Sequence, residues 1–280
     1  MPMSSTGLIL GCGYLGARVA SLWQQQNRHV FAATRNPGNL PPDVEPILCD
    51  VLQPASLRTL PQVETVLYAI AFDRTSGASM HAVYVDVLAN VLAQLPAPKR
   101  FLYISSSNVY GQTDGGWVDE RAATEPKEAS GQVVLEAEAV LRAKLQGAVV
   151  LRFAGIYGPG RLLRRQRIEQ GEPIVGDADK WLNLIHVEDG ARAVLAAQQY
   201  GQPGRVYNVC DDHPVRRRYF YATLARLLGA PEPRFVSPPP GQPTPPHERA
   251  HRRINNRRMK EELQAELRYP DYEQGLRSSV

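Results

Sequence analysis

Gly11-Cys12-Gly13-Tyr14-Leu15-Gly16 is a Gly-x-Gly-x-x-Gly stretch, a spacing suited to holding a phosphate. The first glycine would make a tight turn. The second would let a diphosphate approach the backbone, and the third would let a helix pack on a strand. Free N–H groups at the helix start would attract the anion. Cys12, Tyr14 and Leu15 are carried between the glycines and belong to the same candidate site. An acidic residue about 20 positions past the first glycine would take the ribose 2′-hydroxyl of NAD. That window reads Ala33-Thr34-Arg35-Asn36 and holds no carboxylate. The planar fork of Arg35, beside Thr34, suits a 2′-phosphate, so NADP(H) is expected over NAD(H). The other reading of Arg35 is a surface arginine opening the loop at Pro37-Gly38.

A second set of reactive groups is Ser105-Ser106-Ser107, three hydroxyls at the end of an apolar run. They would point at the nicotinamide end of such a cofactor, or cap a turn, which serine does well. Tyr68, Tyr110 and Tyr157 are candidate proton donors at the carboxyl ends of strands, each with a packed aromatic as the alternative. His186 opens a helix after a strand and reads as structural. Neither a metal-ligand cluster nor a Ser-His-Asp arrangement is visible.

These residues need a scaffold. Leu8-Ile9-Leu10 before the glycines and the helical spacing after them read as strand, turn and helix. Further strands are expected at 30–34, 46–51, 63–71, 100–104 and 148–153. Helices are expected from Pro54, over 80–95 and over 133–145, with a polar, turn-rich stretch at 112–130. The alternation predicts an α/β, Rossmann-type doubly wound parallel sheet. Small residues at the end of the fourth strand, Ala69-Ile70-Ala71, would lie near the cofactor. After Gly160 the pattern changes. A basic helix at 161–170, strands at 181–187 and 205–209, helices at 191–199 and 219–228, and a proline-rich loop at 237–246 are expected. Residues 1–160 would form the NADP-binding domain, completed by about 183–210. Residues 161–182 and 211–280 would form a smaller C-terminal substrate lobe.

The 280 residues are 43% hydrophobic and carry a net charge of +4, enough for a sizeable core without staples. The 3 cysteines are far apart, which argues against a disulfide framework and fits a reducing compartment. No signal peptide and no membrane-spanning run are seen, so a cytoplasmic protein is expected. Arginine clusters without a groove-reading or base-stacking motif argue against nucleic acid.

The chain resembles the extended short-chain dehydrogenase/reductases, the NAD(P)-dependent epimerase/dehydratase group. The resemblance rests on the Gly11–Gly16 turn, Asp50-Val51, Ser105-Ser106-Ser107-Asn108-Val109-Tyr110-Gly111, Leu151-Arg152-Phe153 with Tyr157-Gly158-Pro159-Gly160, Ile185-His186-Val187-Glu188-Asp189 and Tyr207-Asn208-Val209. It implies that Asp50 meets the adenine, that Ala69, Ile70 and Ala71 flank the cofactor ribose, and that Ser105 stands beside the cofactor. The catalytic hydroxyl falls on Ser106, or on Ser107 if the register shifts by one. It also implies a small-molecule substrate such as a nucleotide sugar. A homodimer is implied through helices 80–95 and 133–145, with Val85 and Leu92 as surplus apolar residues. Two departures stand out. Leu10 occupies a position that is usually glycine. The family's Tyr-x-x-x-Lys pair falls on Ser130 and Val134, and no other Tyr-x-x-x-Lys occurs in the chain. The family tyrosine exchanges a proton while hydride moves, and the lysine lowers its pKa. A serine–valine pair can do neither. The chain therefore reads as an atypical member, either an oxidoreductase with a displaced acid/base or a non-catalytic NADP(H) sensor or scaffold.

Overall fold

A computed structural model describes residues 5–239 and 249–280. Seven strands form the central sheet: β1 (Thr6–Leu10), β2 (His29–Thr34), β3 (Glu45–Leu48), β4 (Thr65–Tyr68), β5 (Arg100–Ser106), β6 (Val149–Phe153) and β7 (Val206–Val209). Their order is β7-β6-β5-β4-β1-β2-β3, and every neighbouring pair is parallel. The chain starts in the middle, fills one edge, then returns to build the other. That reversal leaves a crevice at the carboxyl ends of β1 and β4, where open α/β sheets take their ligands.

The strands are short apolar runs because both faces are covered. Ile9, Leu67 and Leu102 pack toward α1 (Gly16–Gln25) and α5 (Val187–Tyr200), against Val19, Trp23 and Val194. Leu8, Leu10, Val66 and Phe101 pack toward α2 (Val87–Gln94) and α3 (Ala129–Lys144), against Leu88, Ala137 and Leu141. A separate apolar cluster joins Ile168, Ile174 and Leu184 to Phe220 and Leu224 of α6 (Arg217–Leu228).

Several expectations are corrected. The segment 80–95 is not one regular helix: Ala82–Asp86 is a π-helical turn that runs into α2. Val85, taken for a face that a second copy would cover, is 6% exposed, and Leu92 packs against the same core. Their apolar character is thus explained within one chain. β3 stops at Leu48, so Asp50 follows the strand and does not end it. Pro54–Thr59 is a 3₁₀ helix. The turn-rich segment 112–130 contains a short strand, Trp117–Val118, paired with Arg253–Ile254. The helix expected from 133 begins at Ala129.

The expected helix 161–170 forms only as α4 (Arg165–Glu169), behind Arg164 at φ 56°, so Arg161 lies in a turn. The single strand expected at 181–187 is broken at Asn183. Trp181–Leu182 pairs antiparallel with Val215–Arg216, whereas Leu184–His186 pairs parallel with Gly155–Tyr157. The Asn183 side chain donates to Arg252 O and accepts from Ile254 N, which holds the break. The proline-rich stretch at 237–246 lies mostly outside the described residues.

The head of α5 ties distant segments together. His186 caps it, with Nδ1 accepting from Glu188 N at 3.3 Å and Nε2 paired with Ser279 Oγ at 3.1 Å. Asp189, buried, accepts from Arg268 N and Tyr269 N, both at 2.8 Å. Between these contacts lie α7 (Arg257–Leu263), packed on α5 and β7, and α8 (Tyr272–Arg277), packed on α6. Among the described residues no helix is long and apolar enough to cross a membrane.

Candidate functional site

The glycine turn is closed on two sides and open on a third. Gly11 adopts φ 96°, and a Cβ there would lie 2.4 Å from Ala69 O. A Cβ on Gly16 would lie 2.4 Å from Gly11 O, so the start of α1 packs directly on the turn. A Cβ on Gly13 would meet nothing within 4 Å. Over this opening lies a cleft of about 830 Å³, lined by the whole stretch from Gly11 to Ala17. Its size suits a small-molecule ligand. Burial pushes the Cys12 thiol up to about 11, so it stays neutral beneath any bound anion.

One end of the cleft is built from the loops after β2 and β3. Ala33, Thr34, Arg35 and Asn36 line it with Asp50 and Val51. The Thr34 hydroxyl donates to Asn36 O and accepts from Asn36 N, which bends the chain around Arg35. Arg35 is exposed, and its charge helps hold the opposite Asp73 carboxyl down, after the hydrogen bonds from Thr75. Asp50 Oδ1 accepts from Leu52 N at 3.1 Å. Ala69, Ile70 and Ala71 line the middle, with Ala69 N donating to Leu10 O at 2.7 Å.

At the far end stand the serines. Ser106 lines the cleft, and its Oγ accepts from Asn108 N at 3.2 Å as the cap of a 3₁₀ turn. Ser107 is buried, is not part of the lining, and its carbonyl accepts from Arg252 Nη2. Ser105 lines the cleft, but its hydroxyl donates to Glu138 Oε1 at 2.7 Å. It therefore orders the wall instead of offering its proton to a ligand.

Ser105 thereby joins a buried network. Arg152 donates to both Glu138 oxygens, at 2.9 and 2.7 Å, and to Tyr110 Oη at 3.1 Å. Tyr110 in turn donates to Asn208 Oδ1 at 2.8 Å. Burial would push the Glu138 carboxyl up. The Arg152 guanidinium overcomes that and holds it below the usual carboxylate range. Tyr110 is thus a structural link, and neither it nor Tyr68 or Tyr157, both buried, lines the cleft.

The phenols that do line it are Tyr14 of the glycine stretch, Tyr84 and Tyr103. The sequence offered a weak signal for Tyr84, its place at the start of the helix after β4. What brings it to the cleft is the π-helical turn, a feature frequent at functional sites. Its Oη accepts from Phe72 N at 3.1 Å. Burial keeps the Tyr103 phenol neutral. Val134 also lines the cleft, an apolar group where the resemblance puts a lysine, whereas Ser130 does not reach it. No group of three metal-ligating side chains occurs among the described residues.

Compared with known proteins, the chain matches the NAD dependent epimerase/dehydratase family over residues 8–210. It belongs to that family. Protein YeeZ of Escherichia coli K12 is 37% identical over 138 residues, an alignment spanning 49% of this chain and 48% of that protein. The chain thus matches about half the length of this curated relative. A solved structure of a functionally unknown conserved protein from Silicibacter pomeroyi is 32% identical, with 98% of this chain and 97% of that chain covered and a TM-score of 0.78. The dTDP-glucose 4,6-dehydratase of Bacillus anthracis, solved in complex with NAD, shares the fold at 19% identity and a TM-score of 0.80 over 99% of this chain and 95% of that one. The epimerase/dehydratase fold accounts for the parallel sheet and for the crevice above its carboxyl ends.

Proposed function

We propose that this chain binds a nicotinamide dinucleotide, NADP(H) in preference to NAD(H), and acts as an epimerase/dehydratase-like oxidoreductase on a small molecule of nucleotide-sugar type. One observation carries the reading. A single cleft gathers the open face of Gly13, the Arg35 guanidinium, Asp50, the Ala69–Ala71 wall and the Ser106 hydroxyl. The bound cofactor would supply or accept the hydride. The glycine turn would hold the diphosphate against backbone N–H groups, Arg35 would meet a 2′-phosphate, and Ser106 would orient the substrate oxygen. The dTDP-glucose dehydratase supports the substrate class by name, and the C-terminal segments packed around the apolar cluster of α6 would serve as the substrate lobe.

The test of cofactor choice is a titration of NADPH and NADH against the parent protein and Arg35→Asp. A charge-assisted pair is worth about 1.5–3 kcal/mol, roughly one to two decades in affinity. The parent is expected to prefer NADPH by that margin and Arg35→Asp to lose the preference. Equal affinity of the parent for both cofactors sinks the assignment.

A second reading is a non-catalytic NADP(H) sensor, and Val134 in the cleft wall favours it. General acid–base groups contribute about 10²–10⁴-fold, which an unactivated serine cannot replace. Turnover of ordinary nucleotide sugars should therefore be slow or absent while cofactor binding persists. Hydride transfer from labelled NADPH is to be compared in the parent, in Ser106→Ala and in Ser130→Tyr with Val134→Lys. The double change is expected to gain activity. Brisk parental turnover that survives Ser106→Ala would show that another group does the chemistry.

A further inference from the structure

We propose that Arg161 clamps the diphosphate of the bound dinucleotide, and that Tyr14 and Gly158 form the latch that delivers it. The proposal rests on the dinucleotide reading above and adds a cation from a part of the chain far from the glycine turn.

The residues 158–161 make a tight turn in which Gly158 N donates to Arg161 O at 3.2 Å and Arg161 N donates to Gly158 O at 2.9 Å. Tyr14, inside the glycine stretch, donates its hydroxyl to Pro159 O at 3.0 Å. Gly158 makes that approach possible. Its φ is 153°, and a Cβ there would lie 2.8 Å from Tyr14 Oη and 2.7 Å from Val187 Cγ1. Two guanidinium groups lie against the Tyr14 ring, Arg18 at 4.2 Å and Arg161 at 5.4 Å from its centroid. A cation held over a ring face in this way is favourably placed.

The two arginines differ in what else they do. Arg18 is engaged by Glu188 at 2.9 Å and by Tyr14 O at 2.7 Å. The Arg161 side chain makes no hydrogen bond or ion pair among the described residues, yet it lines the cleft. The charged residues of the lining are Arg35, Asp50, Asp73 and Arg161. The first three stand on the loops after β2, β3 and β4. Arg161 alone of these four is held against the glycine turn. A guanidinium so placed, exposed at the cleft and with no protein partner on its fork among the described residues, matches a diphosphate in charge and geometry.

The test is calorimetric titration of the full chain with NADPH, NADH and ADP-ribose, which share the diphosphate, and with UDP-glucose, which carries one on a different molecule. Arg161→Met is expected to weaken all three dinucleotide-type ligands by the same factor, about tenfold or more. UDP-glucose binding should not change. Arg161→Lys should recover part of the loss, and Tyr14→Phe should weaken the three by about threefold through the missing latch bond. Unchanged affinities in Arg161→Met overturn the clamp, as does a loss confined to UDP-glucose, which would place the guanidinium on the substrate. A parent protein that binds none of the three removes the dinucleotide reading together with the clamp. A parent that binds them as well as Arg161→Met does removes the clamp alone.

Discussion

Replacing Glu138 by glutamine is expected to cost about 3–5 kcal/mol of folding stability, because it leaves the Arg152 guanidinium buried opposite a neutral group. Glu138 is 0% exposed and Arg152 is 3% exposed. The carboxylate accepts four hydrogen bonds, from Ser105, from two nitrogens of Arg152 and from Arg142, so no water stands ready to replace it. Urea unfolding of the parent and of Glu138→Gln measures the difference. A loss under about 1 kcal/mol would show that the interior tolerates the bare cation. The pH dependence follows from the same pair. Because the folded-state pKa of Glu138 is lowered from 4.5, the stability it contributes is complete above that value. It drains away as pH falls through the lowered value. Glu138→Gln should flatten that acid-side slope.

Gly13→Val is expected to lower dinucleotide affinity by on the order of 100-fold while leaving the unfolding midpoint in place. The new side chain projects into open space, and Gly13 is not among the glycines of positive φ, so the fold does not resist it. The ligand does, because that space is where a diphosphate would approach the backbone. Gly16→Val is the contrasting variant. Its Cβ would sit 2.4 Å from Gly11 O, so it should destabilise the protein itself. Cofactor titration beside thermal unfolding separates the two effects. Undiminished binding by Gly13→Val would mean that the ligand does not use this turn.

The sheet was legible because its strands are runs of apolar residues and its helices carry apolar stripes, patterns that local sequence contains. The candidate cleft was legible for a related reason. In this topology the loops after successive strands converge, so naming Gly11–Gly16, Thr34–Arg35, Asp50–Val51, Ala69–Ala71 and Ser105–Ser106 also named neighbours. Pairings across long separations were not legible. Arg152 was visible as part of a motif, but nothing in that motif says that it meets Glu138. Tyr14 and Pro159 are 145 positions apart, and only the folded chain joins them. The π turn at Ala82–Asp86 runs directly into the helix that follows, with apolar residues on both sides of the join, so periodicity smooths over it and misses Tyr84.

Asp189 gives the protein an order of assembly in time. A ribosome that has released the chain through Val209 has delivered all seven strands of the sheet, together with α1, α2, α3 and α5. The carboxylate at the head of α5 must still wait for backbone donors 79 and 80 positions downstream. Until they emerge, its hydrogen-bond partner is Arg192, one turn along the same helix at 3.3 Å. His186 waits longer still for Ser279. The head of α5 therefore gains its full set of native partners only once residue 279 has been made.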